Sequence, residues 1–221
     1  MTLDPGPLHE HHLVTARRAR YYTTGGDGAL LEAWIVLHGL SQLASVFITY
    51  FEAVATPERL VVAPEGLSRY YIAPDSSGGT RNAKVGATWM TREDRENEIA
   101  DYVDYLDALH VKTAATAPHV TALGFSQGVA AACRWIARGK SRVDRLVAWG
   151  GQIPADVDAQ AFHSVRDGVV LVAGDSDEYA SWIAEGDHEN RLRSAGVPFE
   201  VVTFEGGHRM DREALTRIAG V

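Results

Sequence analysis

One serine in this sequence sits where a hydroxyl can become a nucleophile. Gly124-Phe125-Ser126-Gln127-Gly128 follows an apolar run and precedes a run of small residues, Val129-Ala130-Ala131-Ala132-Cys133. The pattern G-x-S-x-G belongs at a strand-to-helix turn so tight that a Cβ at either glycine would strike neighbouring backbone. Such a turn lifts the Ser126 hydroxyl off a sheet and aims a helix N-terminus at it. A hydroxyl attacks only once a base has taken its proton. Of nine histidines, His208 suits best, because Phe204-Glu205-Gly206-Gly207-His208 puts it on a glycine-rich loop after the last apolar run. His110 and His119 flank the loop before the nucleophile strand, and His163 and His188 lie in segments without glycine hinges.

A catalytic imidazole needs an acid to fix its tautomer and stabilise its charged form. Val172-Ala173-Gly174-Asp175-Ser176-Asp177 offers two carboxylates between Ser126 and His208 in chain order. Asp175, next to the strand-ending glycine, suits hydrogen bonds to turn amides. Asp177 is further round the turn and freer to face the histidine, but geometry alone leaves both open. Acyl transfer also needs two donors for the developing oxyanion. One is the amide after the nucleophile, Gln127, and the other should come from the loop Leu37-His38-Gly39-Leu40-Ser41, where Leu40 is in position. His38 reads better as a pin for that loop than as a second base.

Taken together, H-G-L, G-F-S-Q-G, G-x-x-D and G-H resemble the phospholipase/carboxylesterase family of α/β-hydrolases, which includes the acyl-protein thioesterases. The resemblance runs from about Ala33 to the end of the chain, departing after Leu40, at Trp89-Met90-Thr91 and after Asp177. It implies Ser126 as nucleophile, His208 as base, the Leu40 and Gln127 amides as oxyanion hole, and, by alignment of G-x-x-D, Asp177 as acid. It implies no metal or organic cofactor. The activity expected is hydrolysis of a small-molecule carboxylic ester through an acyl-enzyme. A thioesterase or lysophospholipase would share the machinery, and a non-catalytic binding protein on the same fold is the alternative from another class.

The elements that must position these residues are readable from periodicity. Apolar runs at 60–63, 120–124, 146–149, 169–173 and 199–204 are continuous rather than alternating, as in strands buried on both faces of a parallel sheet. Segments 13–23 and 30–37 read as a β-hairpin about Gly25-Gly26-Asp27-Gly28. Helices are expected at 43–55, 92–110 with Thr91 as N-cap, 127–138 ended by Gly139, 179–194 ended by Gly196, and 211–219. Strands alternating with helices predict an α/β-hydrolase fold: a mostly parallel central sheet, helices on both faces and no large cap domain. Residues 1–12 read as a flexible arm and 13–221 as one domain. The long connection 67–91 should arch over the site, with Tyr70, Tyr71, Trp89 and Met90 as pocket walls and Pro74 within it. Only 150–167 leaves room for a cap.

Composition narrows the partners. The chain has 221 residues, 46% apolar and 23% charged, which is that of a globular protein. Its 21 basic against 29 acidic residues give a net charge of −8, and no basic stripe suits a nucleic acid. No apolar run is long enough to insert in a membrane. No secretory signal is read, and the single Cys133 fits a reducing cytoplasm. The string His9-Glu10-His11-His12 reads as a solvated terminus, the sharper alternative being a metal site.

Overall fold

The computed structural model describes residues 8–73 and 78–221. Its centre is a seven-stranded sheet built from β1 (Tyr21–Thr24), β2 (Glu32–Leu37), β3 (Arg59–Pro64), β6 (His119–Phe125), β7 (Arg145–Trp149), β8 (Val169–Gly174) and β9 (Phe199–Phe204). They lie in the order β1-β3-β2-β6-β7-β8-β9, and only β1 runs antiparallel. A separate hairpin pairs β4 (Ser68–Tyr71) with β5 (Val85–Thr88).

Both faces of the sheet are covered at its centre, while the edge strand β9, expected from its apolar run to be buried, is largely exposed because it has a neighbour on one side only. The period-two alternation of a strand divides its side chains between the faces. From β2, Ala33, Ile35 and Leu37 enter one apolar cluster while Trp34 and Val36 enter the other. Helices α2 (Arg95–Thr113) and α3 (Gln127–Arg138) cover the first face with Ile99, Leu106, Val129 and Trp135. On the second face α1 (Ala44–Phe47), the 3₁₀ turn after it and α6 (Arg212–Ala219) bring Phe47, Phe51, Leu215 and Ile218. The remaining helices are α4 (Ala180–Glu185) and α5 (His188–Ala195). No helix among the described residues is long and apolar enough to cross a membrane.

The five apolar runs are strands, with bounds moved by a residue or two. The expected hairpin is not there. Residues 13–20 form no strand, and β1 pairs with β3, Tyr21 opposite Pro64 and Thr24 opposite Val61. The physical reason is that β2 is central and its two edges are taken by β3 and β6. The glycine turn instead docks on the end of β3, where Gly26 N–H donates to Thr56 O and Gly28 N–H to Pro57 O.

Several helix bounds also differ. The segment 43–55 holds one short α-helix and a 3₁₀ turn, in a stretch carrying the β-branched Val46, Ile48 and Thr49. Helix α2 starts at Arg95, with Asp94 at a left-handed φ of 48° in the N-cap position expected for Thr91, whose N–H is taken by Glu98 at 2.5 Å. Gly139 does follow α3, but with φ −80° rather than as a left-handed residue. Segment 179–194 divides into α4 and α5 at Asp187, also left-handed at φ 46°, while Gly196 ends α5 at φ 72° as expected. Within 67–91 the β4–β5 hairpin takes the place of a plain loop; Pro74 lies outside the described residues.

What positions a site is the place where the chain reverses its direction across the sheet. From β2 the chain adds β3 on one side and later β6 on the other, so the loops after β2 and β6 part at their carboxyl ends. Leu37 pairs with Gly124, which brings His38-Gly39-Leu40 beside Ser126, and Gly174 pairs with Phe204, which brings Asp177 toward His208. The approach of α3 to β2 is close. A Cβ on Gly128 would lie 2.1 Å from the Leu37 carbonyl oxygen, and one on Gly124 would lie 2.3 Å from the Gly128 oxygen. We therefore expect Gly128→Ala to cost well over 1 kcal/mol and lower the melting temperature by several degrees. Gly220→Ala, where a Cβ meets nothing within 4 Å and only its φ of 70° is unfavourable, should cost less. Thermal melts of both variants check this.

Candidate active site

Ser126 stands between β6 and α3 with φ 53° and ψ −118°, a region that non-glycine residues rarely enter. Holding it there costs about 1–3 kcal/mol. Trp34 and Trp149, both fully buried in the cluster beneath, each contribute a similar or larger amount, so the core sustains the strain. Ser126 N–H is tied to Trp149 O at 2.8 Å. The first amides of α3, that of Gln127 included, begin directly after it and carry the positive end of the helix.

The Gly39-Leu40 segment runs against Ser126: a Cβ on Gly39 would lie 3.2 Å from Ser126 Cβ. Three contacts hold it. Gly39 N–H donates to Gln42 Oε1 at 2.8 Å, and His38 is buried with both ring nitrogens used. Its Nε2 accepts Gly66 N–H at 3.0 Å, so Nδ1 carries the proton and donates to Gly39 O at 2.7 Å. Burial pushes the His38 pKa down and keeps the ring neutral. His38 is thus a pin for the loop. Its carbonyl also accepts Trp89 Nε1–H at 2.8 Å.

Asp177 and His208 meet. His208 Nδ1 is 2.9 Å from Asp177 Oδ2, and Tyr179 N–H donates to Asp177 Oδ1 at 2.8 Å, so both carboxylate oxygens are held. Asp177 is buried, and the His208 ring packs on Phe125 and Tyr179 with centroids 4.9 and 4.7 Å away. Asp175 serves the turn instead. Its Oδ1 accepts Gly206 N–H at 3.0 Å and so anchors the loop that carries His208. Glu178 adds a second anchor by accepting His208 N–H at 3.2 Å.

Ser126, His208, Leu40 and Gln127 line one open cavity of ≈ 1070 Å³. Trp89 and Met90 also line it, as expected. Tyr70 and Tyr71 do not, which corrects the pocket drawn from the sequence. They belong to the β4–β5 hairpin, and Tyr70 reaches the site only through its hydroxyl, 2.5 Å from Ser41 Oγ. Their place as walls is taken by Tyr179 and Trp182, on and beside α4. The stretch after β7 contributes Gln152 and Asp156, with a 3₁₀ turn at Ala159–Ser164 in place of a lid.

Two further features were not read from the sequence. The Gln127 side chain ties α3 to the β5 end, donating to Met90 O at 2.9 Å and accepting Trp89 N–H at 3.2 Å. Arg134 grips Asp156 twice, Nε to Oδ2 at 2.9 Å and Nη2 to Oδ1 at 2.8 Å. These bonds hold the Asp156 carboxyl well below its usual range. The available signal was helical spacing, which puts 130 and 134 on the face of 126. At the N-terminus, Glu10, His12 and Asp94 bring ligand atoms within 4.8 Å of one another, but all three are exposed and solvated.

No protein-family model and no curated protein matches the sequence. Its solved structural neighbours include a carboxylesterase from Mesorhizobium loti, with TM-score 0.70 at 16% identity over 95% of this chain and 96% of that one. Esterase PE8 gives 0.67 at 19% identity over 92% and 97%. Zea mays acyl-protein thioesterase 2 gives 0.63 at 15% over 92% and 97%. Identities this low speak for fold, and the fold expected from the motifs is the one found: the α/β-hydrolase fold.

The two aspartates should separate by measurement. In Asp177→Asn the His208 ring loses its charged acceptor, so the downfield Nδ1–H proton resonance expected of a carboxylate-bonded imidazole should disappear. Asp175→Asn should keep that resonance and instead lower the melting temperature by the loss of a turn contact worth about 1 kcal/mol. Proton NMR and thermal melts check both.

Proposed function

We propose that this protein is a serine hydrolase of carboxylic esters with short to medium acyl chains. Ser126 is the nucleophile, His208 the general base, Asp177 the acid that orients it, and the Leu40 and Gln127 amides the oxyanion hole. The observation that carries the reading is the Asp177–His208 hydrogen bond of 2.9 Å on the same cavity as a serine in a strained elbow. A strained nucleophile, a bonded acid and base, and helix amides converging on one cavity are more than a core needs.

The mechanism follows from the roles. His208 Nε2 takes the hydroxyl proton as Ser126 Oγ attacks the ester carbonyl, and Asp177 stabilises the imidazolium through Nδ1–H. The oxyanion forms beside fixed amides that need no reorganisation. Collapse expels the alcohol with the proton from His208. Water then attacks the acyl-enzyme by the same route and releases the acid. The thioester reaction would use the same groups. The single cysteine and the acidic surface support a cytoplasmic enzyme with a small-molecule substrate and no nucleic-acid partner.

Ser126→Ala should lower kcat on p-nitrophenyl butyrate by about a millionfold while leaving the melting temperature and fold unchanged. It should also abolish labelling by a fluorophosphonate. Retention of more than a few per cent of activity would overturn the assignment.

Acyl length gives a second test. Each methylene that finds the apolar wall of Trp89, Met90 and Ala130 gains about 0.8 kcal/mol, or roughly fourfold in kcat/KM. Methylenes beyond that wall gain nothing. A graded series of p-nitrophenyl esters, run beside an acyl-thioester, should therefore rise and then flatten or fall. A steady rise to the longest soluble ester would call for a deep tunnel instead.

A further inference from the structure

Two turns along α3 from the nucleophile, the wall of the cavity changes from apolar to charged. Ser126, Ala130 and Arg134 are spaced by four, so they share one helix face, and all three line the cavity. At 1.5 Å per residue, Arg134 lies about 12 Å along the helix from Ser126. Between them Ala130 and Ala131 present only methyl groups, which leaves a channel for an extended chain.

Arg134 at its end is only 6% exposed. Nε and Nη2 are spent on Asp156, but Nη1 meets the Met90 sulfur at 3.2 Å, a weak acceptor for a charged donor. Beside it lies the buried Tyr102 hydroxyl, which interacts with the same guanidinium. The Asp156 carboxylate repels little. Arg95 and Arg138 also bind it, at 2.8 and 3.0 Å, and Glu96 pairs with the same two arginines. Three guanidinium groups thus face two carboxylates in this cluster, of which Arg134 and Asp156 line the cavity. A methyl terminus arriving here would cover a charged donor without satisfying it. A carboxylate would supply the missing acceptor through a charge-assisted bond.

We propose that this end of the cavity recognises a carboxylate, so that the preferred substrates are half-esters of dicarboxylic acids, bound with the free carboxylate at Arg134. The inference rests on Ser126 being the nucleophile. The distal carboxylate takes no part in the chemistry. Ser126 Oγ bonds to the ester carbonyl carbon, the alcohol leaves with the hydroxyl proton by way of His208, and water releases the dicarboxylic acid.

The test compares the monophenyl ester of adipic acid with phenyl hexanoate, matched in acyl length, on the purified full chain. The adipate should be favoured in kcat/KM by about tenfold or more. A ratio of one or less overturns the proposal. In the double variant Arg134→Gln/Asp156→Asn, which neutralises the pair together, the ratio should fall about tenfold. An unchanged ratio in a variant that melts like the wild type also overturns it. Should the variant not fold, inhibition of the wild type decides: free adipate must inhibit more strongly than hexanoate, and equal or weaker inhibition overturns the proposal. Phenyl acetate, too short to reach Arg134, isolates the underlying activity. Absence of its Ser126-dependent hydrolysis removes the esterase reading itself, whereas its hydrolysis with an adipate-to-hexanoate ratio of one or less removes this inference alone.

Discussion

The site depends on one close approach, that of Gly128 in the first turn of α3 to the carbonyl of Leu37 at the end of β2. Any side chain there would push the helix away from the sheet. With hydrogen alone at that position, the helix starts against the sheet edge and the turn before it has no slack. Ser126 is forced to positive φ, and its amide is secured to Trp149 in the next strand. The same contact brings the β2 loop alongside, so that Gly39 has room for no side chain between it and Phe125 and Ser126. Ser126, the first amides of α3 and the Gly39-Leu40 loop are therefore set by a single packing constraint.

Polar groups then fix what packing alone leaves loose. Polar side chains tie the loops around the cavity to one another, His38 from a buried position and the others from nearer the surface. His38 joins the β2 loop to Gly66 and, through its carbonyl, to Trp89. Gln127 joins the helix to Met90. Asp175 and Glu178 hold the loop whose one imidazole meets Asp177. A buried group with both its partners used resists displacement, since losing either partner leaves an uncompensated dipole. The His208 loop and the Gly39-Leu40 loop are held in this way by polar neighbours.

What could be read in advance follows from how local each signal is. The elbow is local: two glycines, a serine and a helix of small residues within a few positions of one another. His208 stood out because it follows a strand whose apolar run is unmistakable, whereas the choice of Asp177 over Asp175 came from the family resemblance, local geometry leaving both open. Strand pairing is not local. The turn at 25–28 resembles a hairpin turn, but which strand takes β1 is decided by β6, which occupies the edge of β2 from nearly ninety residues away. The grip of Arg134 on Asp156 is likewise a meeting of a helix with the loop after β7, and nothing in either segment names the other. Tyr70 and Tyr71 show the converse limit, since aromatic composition does not say which residues of a hairpin become cavity wall, and neither of these does.

Helix α4 has no buried side chain, although it carries Trp182 into the cavity wall. The opposite wall is part of α3, whose other face is locked into the core. One side of the cleft is therefore bound to the folding of the whole molecule, and the other hardly contributes to it. Over evolutionary time the two sides answer to different pressures. Substitutions on α3 must first preserve the fold, whereas α4 can exchange residues with little effect on it. What this side of the cleft admits can thus change through α4, without re-solving the packing that holds Ser126.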